Sequence, residues 1–570
     1  MDLSGYIGKR EQNQLFMLFL AFIVFLFSLT ILQFHRSQSY QSYQQVDLNH
    51  AGATIYANIY YPINDIEFQE KKPLVIYVHG FANDRNFDIH FPIELVKRGF
   101  IVATLDYHGH GQSGGTMFDI NPETGRPAIY EDVSKLLDLL ENLPIYSSDI
   151  NSSQIGLVGH SLGGAIALMT NILDKRINTT VALAPLVNQG VISHPNFINH
   201  MPVDHLNQTN TKNLLILAHK DDTLLDYREH ALVAKNLTGC NLSLYEEPML
   251  GDAHSMLSSN VIKEMITWIE FNFFGFVNGP IIISYFFSYI FLGISMLLLF
   301  IIIFLIISLA ANFFSFEKIK VERIILKEKE KYRNKEKILR ILAIFLNSGI
   351  FLTIWILFSN YFRLSGIFIS SFLLLGIYTF AYLFLYWNKN KRSFNKEFKL
   401  KKKIKKRLKQ ELKINCFMYG IFSSAIFQIF YVIFTVSYPF AFVWPTNLRV
   451  ILVGFTIFPI FLSFEMFYRG TIYPLLDFLD SERLKAKIII ILSIIIQFLI
   501  IYLSRIWVFI PTLLVAYLIF LVVIIINTLF YERNKSISIR FMFSVDLLFF
   551  FFGSAITTVL GLDVAIYLLL

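Results

Sequence analysis

The sequence predicts an α/β domain built on a mainly parallel sheet, joined to an all-α multi-pass membrane region. Three observations carry this. The 570 residues are 55% hydrophobic, with 58 Phe and a mean hydropathy of +0.53, more apolar than a soluble chain of this size, yet residues 45–275 have a soluble composition. Within that stretch short β-branched runs alternate with helical periodicity, the pattern of helices wound around a parallel sheet. And the strand-like run 155–158 turns at Ser161 into a small, apolar, helix-like stretch, with Gly159 and Gly163 two positions either side of the serine.

In chain order, residues 15–34 are an apolar run preceded by Lys9 and Arg10. It is longer than a signal peptide core and has no small-x-small cleavage site, so it reads as an uncleaved signal anchor. A polar Gln/Ser/Tyr-rich linker, 36–45, leads into the domain. Beyond it, further spans are expected at about 281–312, 338–358, 365–387, 415–437, 447–469, 485–504, 506–528 and 543–563, nine in total. The run beginning at 281 is too long for one straight crossing. The predicted division is 1–44 for the N-terminus, anchor and linker, 45–275 for the α/β domain and 276–570 for the membrane region.

Charge sets the expected orientation. Loops 313–337 and 388–413 carry 9 and 13 Lys/Arg and should be cytoplasmic, where they fix topology and meet anionic headgroups. Counting crossings back places the domain outside at the plasma membrane, which agrees with Lys9 and Arg10 inside. The C-terminus also falls outside. The net charge of +8 hides a division: residues 45–275 hold 14 Lys/Arg against 26 Asp/Glu. The basic excess lies in the membrane half, so the partners expected are the lipid bilayer and a small-molecule or lipid substrate, with no nucleic acid. Five N-x-S/T sequons, at Asn151, Asn178, Asn207, Asn236 and Asn241, fit an outside location. Cys240 and Cys416 lie in different regions and form no disulfide framework. No cofactor is expected.

The run 74–78 reads as a strand emptying into His79-Gly80-Phe81, and 99–106 as the next strand, followed by a loop rich in Gly and His. Residues 131–142 have helical periodicity, with Val133, Leu136, Leu137 and Leu140 on one face. Strands at 180–183 and 213–218 follow. Glycine either side of Ser161 lets neighbouring backbone pass a sharp strand-to-helix turn that exposes the hydroxyl. Such a serine needs a base, and the base needs an orienting carboxylate. His254, in a loop, is the candidate base. Asp222 or its neighbour Asp221, at a strand end, is the candidate acid. The backbone amides of Leu162 and Phe81 are the candidate oxyanion donors. His194, His200 and His205, irregularly spaced and short of carboxylate company, read as loop histidines rather than metal ligands.

His79-Gly80-Phe81, 106–114, Gly159-His160-Ser161-Leu162-Gly163-Gly164, Asp222 and His254, in that order, resemble the α/β-hydrolase superfamily, and within it the monoacylglycerol lipase and serine aminopeptidase-like branch. The likeness covers about 230 residues. It implies a serine hydrolase that cleaves an ester, thioester or amide through an acyl-enzyme, and it favours Asp222 over Asp221. The stretch 186–212, where that branch inserts a helical cap, is only about 27 residues here, so an open site is expected.

In the membrane half, Glu465 and Arg469 are four apart at a helix end and could pair. The surrounding residues faintly resemble the E-E-x-x-x-R-G motif of CAAX-type intramembrane proteases. Phe464 replaces the first glutamate, and no histidine follows His254. Two rivals to the hydrolase therefore stand: a transporter or scaffold whose ectodomain only binds a ligand, and a degenerate membrane protease.

Overall fold

The computed structural model describes residues 9–63, 70–189, 194–249, 253–310, 334–391, 466–479 and 481–504, apart from 82 and 87, with scattered positions between 418 and 464 and at 524 and 528. The chain order is α1 (Lys9–Ser37), β1 (Ser42–His50), β2 (Ala53–Tyr61), β3 (Lys72–Val78), α2 (His90–Val96), β4 (Ile101–Asp106), α3 (Asp132–Glu141), α4 (Pro144–Ser148) and β5 (Ile150–His160). It continues with α5 (Leu162–Leu173), β6 (Thr179–Leu183), α6 (Pro195–Ile198), β7 (Leu214–His219), α7 (Ala231–Thr238), β8 (Asn241–Tyr245), α8 (Ser259–Phe274), α9 (Phe286–Ala310), α10 (Asn334–Lys391) and α11 (Glu482–Ser504).

The eight strands form one sheet in the order β1-β2-β4-β3-β5-β6-β7-β8. From β4 to β8 every pairing is parallel, while β1–β2 and β2–β4 are antiparallel. Alternation along β3 shows why its run is continuously apolar. Leu74, Ile76 and Val78 enter the core under α3 and α5, and Val75 and Tyr77 enter the core under α2 and α8. Burying each such side chain contributes about 1.5–3 kcal/mol. Two-sided burial, more than β-propensity, holds these strands in the middle of the sheet.

The first two strands were not expected. The stretch 36–45 is not a linker: α1 continues to Ser37 and β1 starts at Ser42, so the domain begins a few residues earlier than position 45. The Gln- and Tyr-rich segment forms the sheet's edge strand, and an edge strand tolerates a polar face. Its hairpin closes at Ala51 (φ 46°) and Gly52 (φ 83°), the two consecutive positive φ values of a two-residue turn. At the other end, α8 stops at Gly275, whose φ of 81° makes a left-handed cap.

Among the described residues, three helices are long and apolar enough to cross a membrane: Glu11–Ser37, Phe286–Ala310 and Asn334–Leu357. α1 and α9 pack antiparallel, with Gln14 donating to Ser308 near one end and His35 meeting Ser284 and Ser288 at the other. The expected spans 338–358 and 365–387 both fall within the helical element α10. Yet Tyr378 donates to the Asn347 carbonyl at 3.0 Å and its ring lies 6.1 Å from Phe351. Thirty-one straight helical residues would separate them by about 46 Å, so α10 folds back on itself. α11 covers the expected span 485–504. The span 543–563 and nearly all of 415–437, 447–469 and 506–528 lie outside the described residues, as do most of loops 313–337 and 388–413.

Candidate active site

Ser161 sits between β5 and α5 at φ 56°, ψ −114°, a strained backbone for a residue with a Cβ. Its flanking glycines are required sterically. A Cβ on Gly159 would lie 2.1 Å from the Gly163 carbonyl oxygen, and one on Gly163 would lie 2.2 Å from the Val78 carbonyl oxygen. The strand, the turn and the helix thus press together so closely that only hydrogen fits at either position.

The structure brings the three predicted side chains together. Ser161 Oγ is 2.9 Å from His254 Nε2, and His254 Nδ1 is 2.7 Å from Asp222 Oδ2. They come from three segments: the turn after β5, the loop after β7 and a single helical turn, Ala253–Ser255, before α8. The other Asp222 oxygen accepts from the amides of Leu224 and Leu225 at 2.9 and 3.0 Å. Burial pushes the Asp222 carboxyl upward, but the hydrogen bond and charge of His254, with those two amides, hold it below its ordinary value. Asp221 is exposed, and its amide donates to His219 Nδ1. His219 also reaches the Glu247 carbonyl, which fixes the turn that aims Asp222 inward.

The candidate oxyanion donors flank the serine. Leu162 is the first residue of α5, so its amide belongs to the electropositive helix start. The Gly80–Phe81 backbone runs beside Ser161, since a Cβ on Gly80 would lie 3.3 Å from the Ser161 Cβ. The Gly80 carbonyl is held by the Tyr107 hydroxyl at 3.1 Å and His79 Nδ1 at 2.8 Å. In a trans peptide this turns the Phe81 N–H the opposite way.

Sequence reasoning missed several supports. His160 is more than an elbow residue: its Nε2 lies 2.8 Å from the His254 carbonyl, and its Nδ1 lies 3.4 Å from Asp88 Oδ2. Asp88 also accepts from the Tyr77 hydroxyl at 2.9 Å. Burial opposes its ionisation, but His160, His90 and Tyr77 hold its carboxyl well below the ordinary range. His230 accepts from the amides of Val187 and Asn188 through Nδ1, and burial lowers its pKa to about 4 despite nearby Asp222. Tyr77, stacked on Phe91 of α2, and His90, which meets Tyr289 of α9, gave the sequence no motif to notice. The residues of 106–114 act as a lock. The Asp106 carboxylate accepts from the amides of Arg85 and Gln112, and a Cβ on Gly111 would collide with it.

His194 stacks on Phe118, and His200 stacks on His205. Among the described residues a different trio brings metal-ligand atoms together: His50, His108 and Asp132. Both imidazole Nδ1 atoms lie within 2.8 Å of one Asp132 oxygen, so each can donate to it, and the cluster ties β1 to the loop after β4. Arg469 lies in a π-helical stretch, Met466–Ile472, where it donates to Thr528 Oγ1 at 3.0 Å. Glu465, its expected partner, lies outside the described residues.

Comparison with known proteins finds its matches over this domain. A family model described as serine aminopeptidase, S33, matches residues 69–238. The chain is 27% identical over 154 residues to platelet-activating factor acetylhydrolase of Cavia porcellus, covering 20% of this chain and 35% of that protein. It is 30% identical over 184 residues to the uncharacterized hydrolase YugF of Bacillus subtilis, covering 30% of this chain and 59% of that protein. The chain spans about a third of the length of the first curated relatives it matches. Among solved structures it is similar to Est1E of Butyrivibrio proteoclasticus, determined with ferulic acid bound, at 18% identity and a TM-score of 0.31, covering 40% of this chain and 97% of that one. The domain has the sheet order of the α/β-hydrolase fold, and over residues 69–238 it is similar to a hydrolase family.

Proposed function

We propose that the domain is a serine hydrolase that cleaves a carboxylic ester through an acyl-enzyme on Ser161, and that α1 and α9 hold it at a membrane. The observation that carries this is the continuous hydrogen-bond chain from Ser161 through His254 to Asp222. His254 Nε2 takes the hydroxyl proton as Oγ attacks the carbonyl carbon, and Asp222 keeps the other nitrogen protonated and the ring aimed. The amides of Leu162 and Phe81 receive the oxyanion. His254 then gives its proton to the departing alcohol. Water, deprotonated by the same nitrogen, attacks the acyl group, releases the acid and restores Ser161. The charge pattern of the loops and the Lys9-Arg10 pair support an outer-face domain with cytoplasmic basic loops.

A membrane-impermeant fluorophosphonate, applied to intact cells, tests this. The wild type is expected to be labelled and Ser161→Ala to be unlabelled. A wild type labelled only after lysis would reverse the orientation, and one labelled in neither state would overturn the hydrolase reading.

A further inference from the structure

The direction in which α9 leaves the domain places the catalytic rim relative to the bilayer. α2 descends from the serine side of the sheet to its base. At its upper end His90 follows Asp88, which reaches His160 beside Ser161. At its lower end Arg98 pairs with Glu270 of α8, near where the Phe273 carbonyl accepts from Gln154 at the start of β5. The segment entering α9 climbs this helix in the opposite sense. Ser284 Oγ accepts from Lys97 at 2.6 Å, the amides of Ser284 and Tyr285 donate to Glu94, and one turn later the Tyr289 hydroxyl reaches His90 Nδ1 at 2.6 Å. α9 is therefore heading toward the serine side when it passes the rim. α1 accompanies it, since His35 lies level with Ser284 and Ser288.

Lengths agree with this arrangement. The 29 residues of α1 extend about 43 Å, against a hydrocarbon core of about 30 Å. The apolar run 15–34 accounts for the core, about 30 Å for 20 residues; polar residues 9–14 take most of the excess at the far end, and the core boundary falls near Phe34, beside His35, which meets Ser284 and Ser288. So the ends of α1 and α9 lie beside α2, and the rest projects past the rim. The outward faces carry large exposed apolar side chains from Phe34 and Phe287 onward, which start the lipid-facing belt level with α2. The expected over-length of the run at 281 is explained in the same way.

We propose that the Ser161 site opens toward the bilayer, and that its substrate is a membrane-resident amphiphile whose ester lies at the headgroup level while its apolar part stays in the leaflet. This rests on the serine hydrolase reading and narrows it. Among its described residues, the short stretch after β6 holds the four-residue α6 and a turn at Pro202–Asp204, and no large helical cap. Tyr289 of α9 reaches His90, and Asp88, two residues earlier, reaches His160, whose Nε2 lies against the His254 carbonyl, so the membrane helix abuts the segment that supports the catalytic loop.

The test uses the full chain in proteoliposomes and three phosphonate probes. One is a soluble fluorophosphonate. The second is a phospholipid carrying the same warhead on a spacer of a few atoms. The third carries it on a polymer long enough to reach around the domain. The expected result is that the short-spacer lipid labels Ser161 at least tenfold faster in the same bilayer than in separate vesicles, because anchoring raises its local concentration. If the rim faced away, Ser161 would stand a domain's thickness, about 40 Å, from the lipid. Soluble and long-spacer probes would then label while the short one did not, and this inference would fail alone. Failure of the soluble probe would instead remove the hydrolase reading beneath it.

Discussion

His254→Ala is expected to lower kcat for ester cleavage by about 10⁶-fold, with KM changed little. No other described side chain stands where it could take the Ser161 proton. His160 lies nearby, at a ring-centroid distance of 5.2 Å from His254, but its Nε2 is committed to the His254 carbonyl. His230 is committed to two amides. The loss should be almost the whole triad contribution, so Ser161→Ala combined with His254→Ala should be no worse than either alone. Steady-state kinetics on a soluble short-chain ester, with the folded state checked by circular dichroism, would measure it. A loss below a hundredfold would show that another base serves the serine.

Asp222→Asn is expected to lower kcat by about 10⁴-fold while leaving the fold intact. An amide can keep the bonds from Leu224 and Leu225 through its oxygen, but it then presents NH₂ to His254 Nδ1. That favours the tautomer with the proton on Nε2, which cannot accept from Ser161. The wild-type carboxyl, held below its ordinary range, is ionised above that range and carries its orienting charge throughout the neutral region. Its contribution to stability is present above the ordinary carboxylate value and lost as pH falls through the lowered one. The same substitution at the exposed neighbour, Asp221→Asn, should leave kcat within about twofold. Equal losses at both positions would contradict the assignment of the acid.

Much of this arrangement was legible because it is local. The elbow is a fixed spacing of three residues, and the central strands are apolar on both faces, so composition marks them directly. The acid and base could be named from their order after the serine, and the resemblance already favoured Asp222 over Asp221; the structure adds the reason, since His219 holds the Asp221 amide while Asp222 meets His254. What was missed is non-local. β2 gains its place by pairing with β4, and β1 by pairing with β2, an edge that admits Tyr, Gln and Asn and so lacks a strong apolar signal. The support from Asp88 through His160 joins residues 72 apart, with no spacing rule to reveal it. The fold-back of α10 depends on contacts between its halves, such as Tyr378 with Asn347. The first turn of α9 looked like surplus membrane span, because lying against α2 demands apolar residues as crossing lipid does.

The central claim is the covalent acyl-enzyme on Ser161. The most direct measurement is a rapid-mixing experiment with p-nitrophenyl acetate, followed by acid quench and mass analysis of the peptide that contains Ser161. The account predicts a burst of p-nitrophenol equal to the enzyme concentration and an acetyl group on Ser161. Turnover without a burst, together with an unmodified Ser161 at every time point, would contradict it.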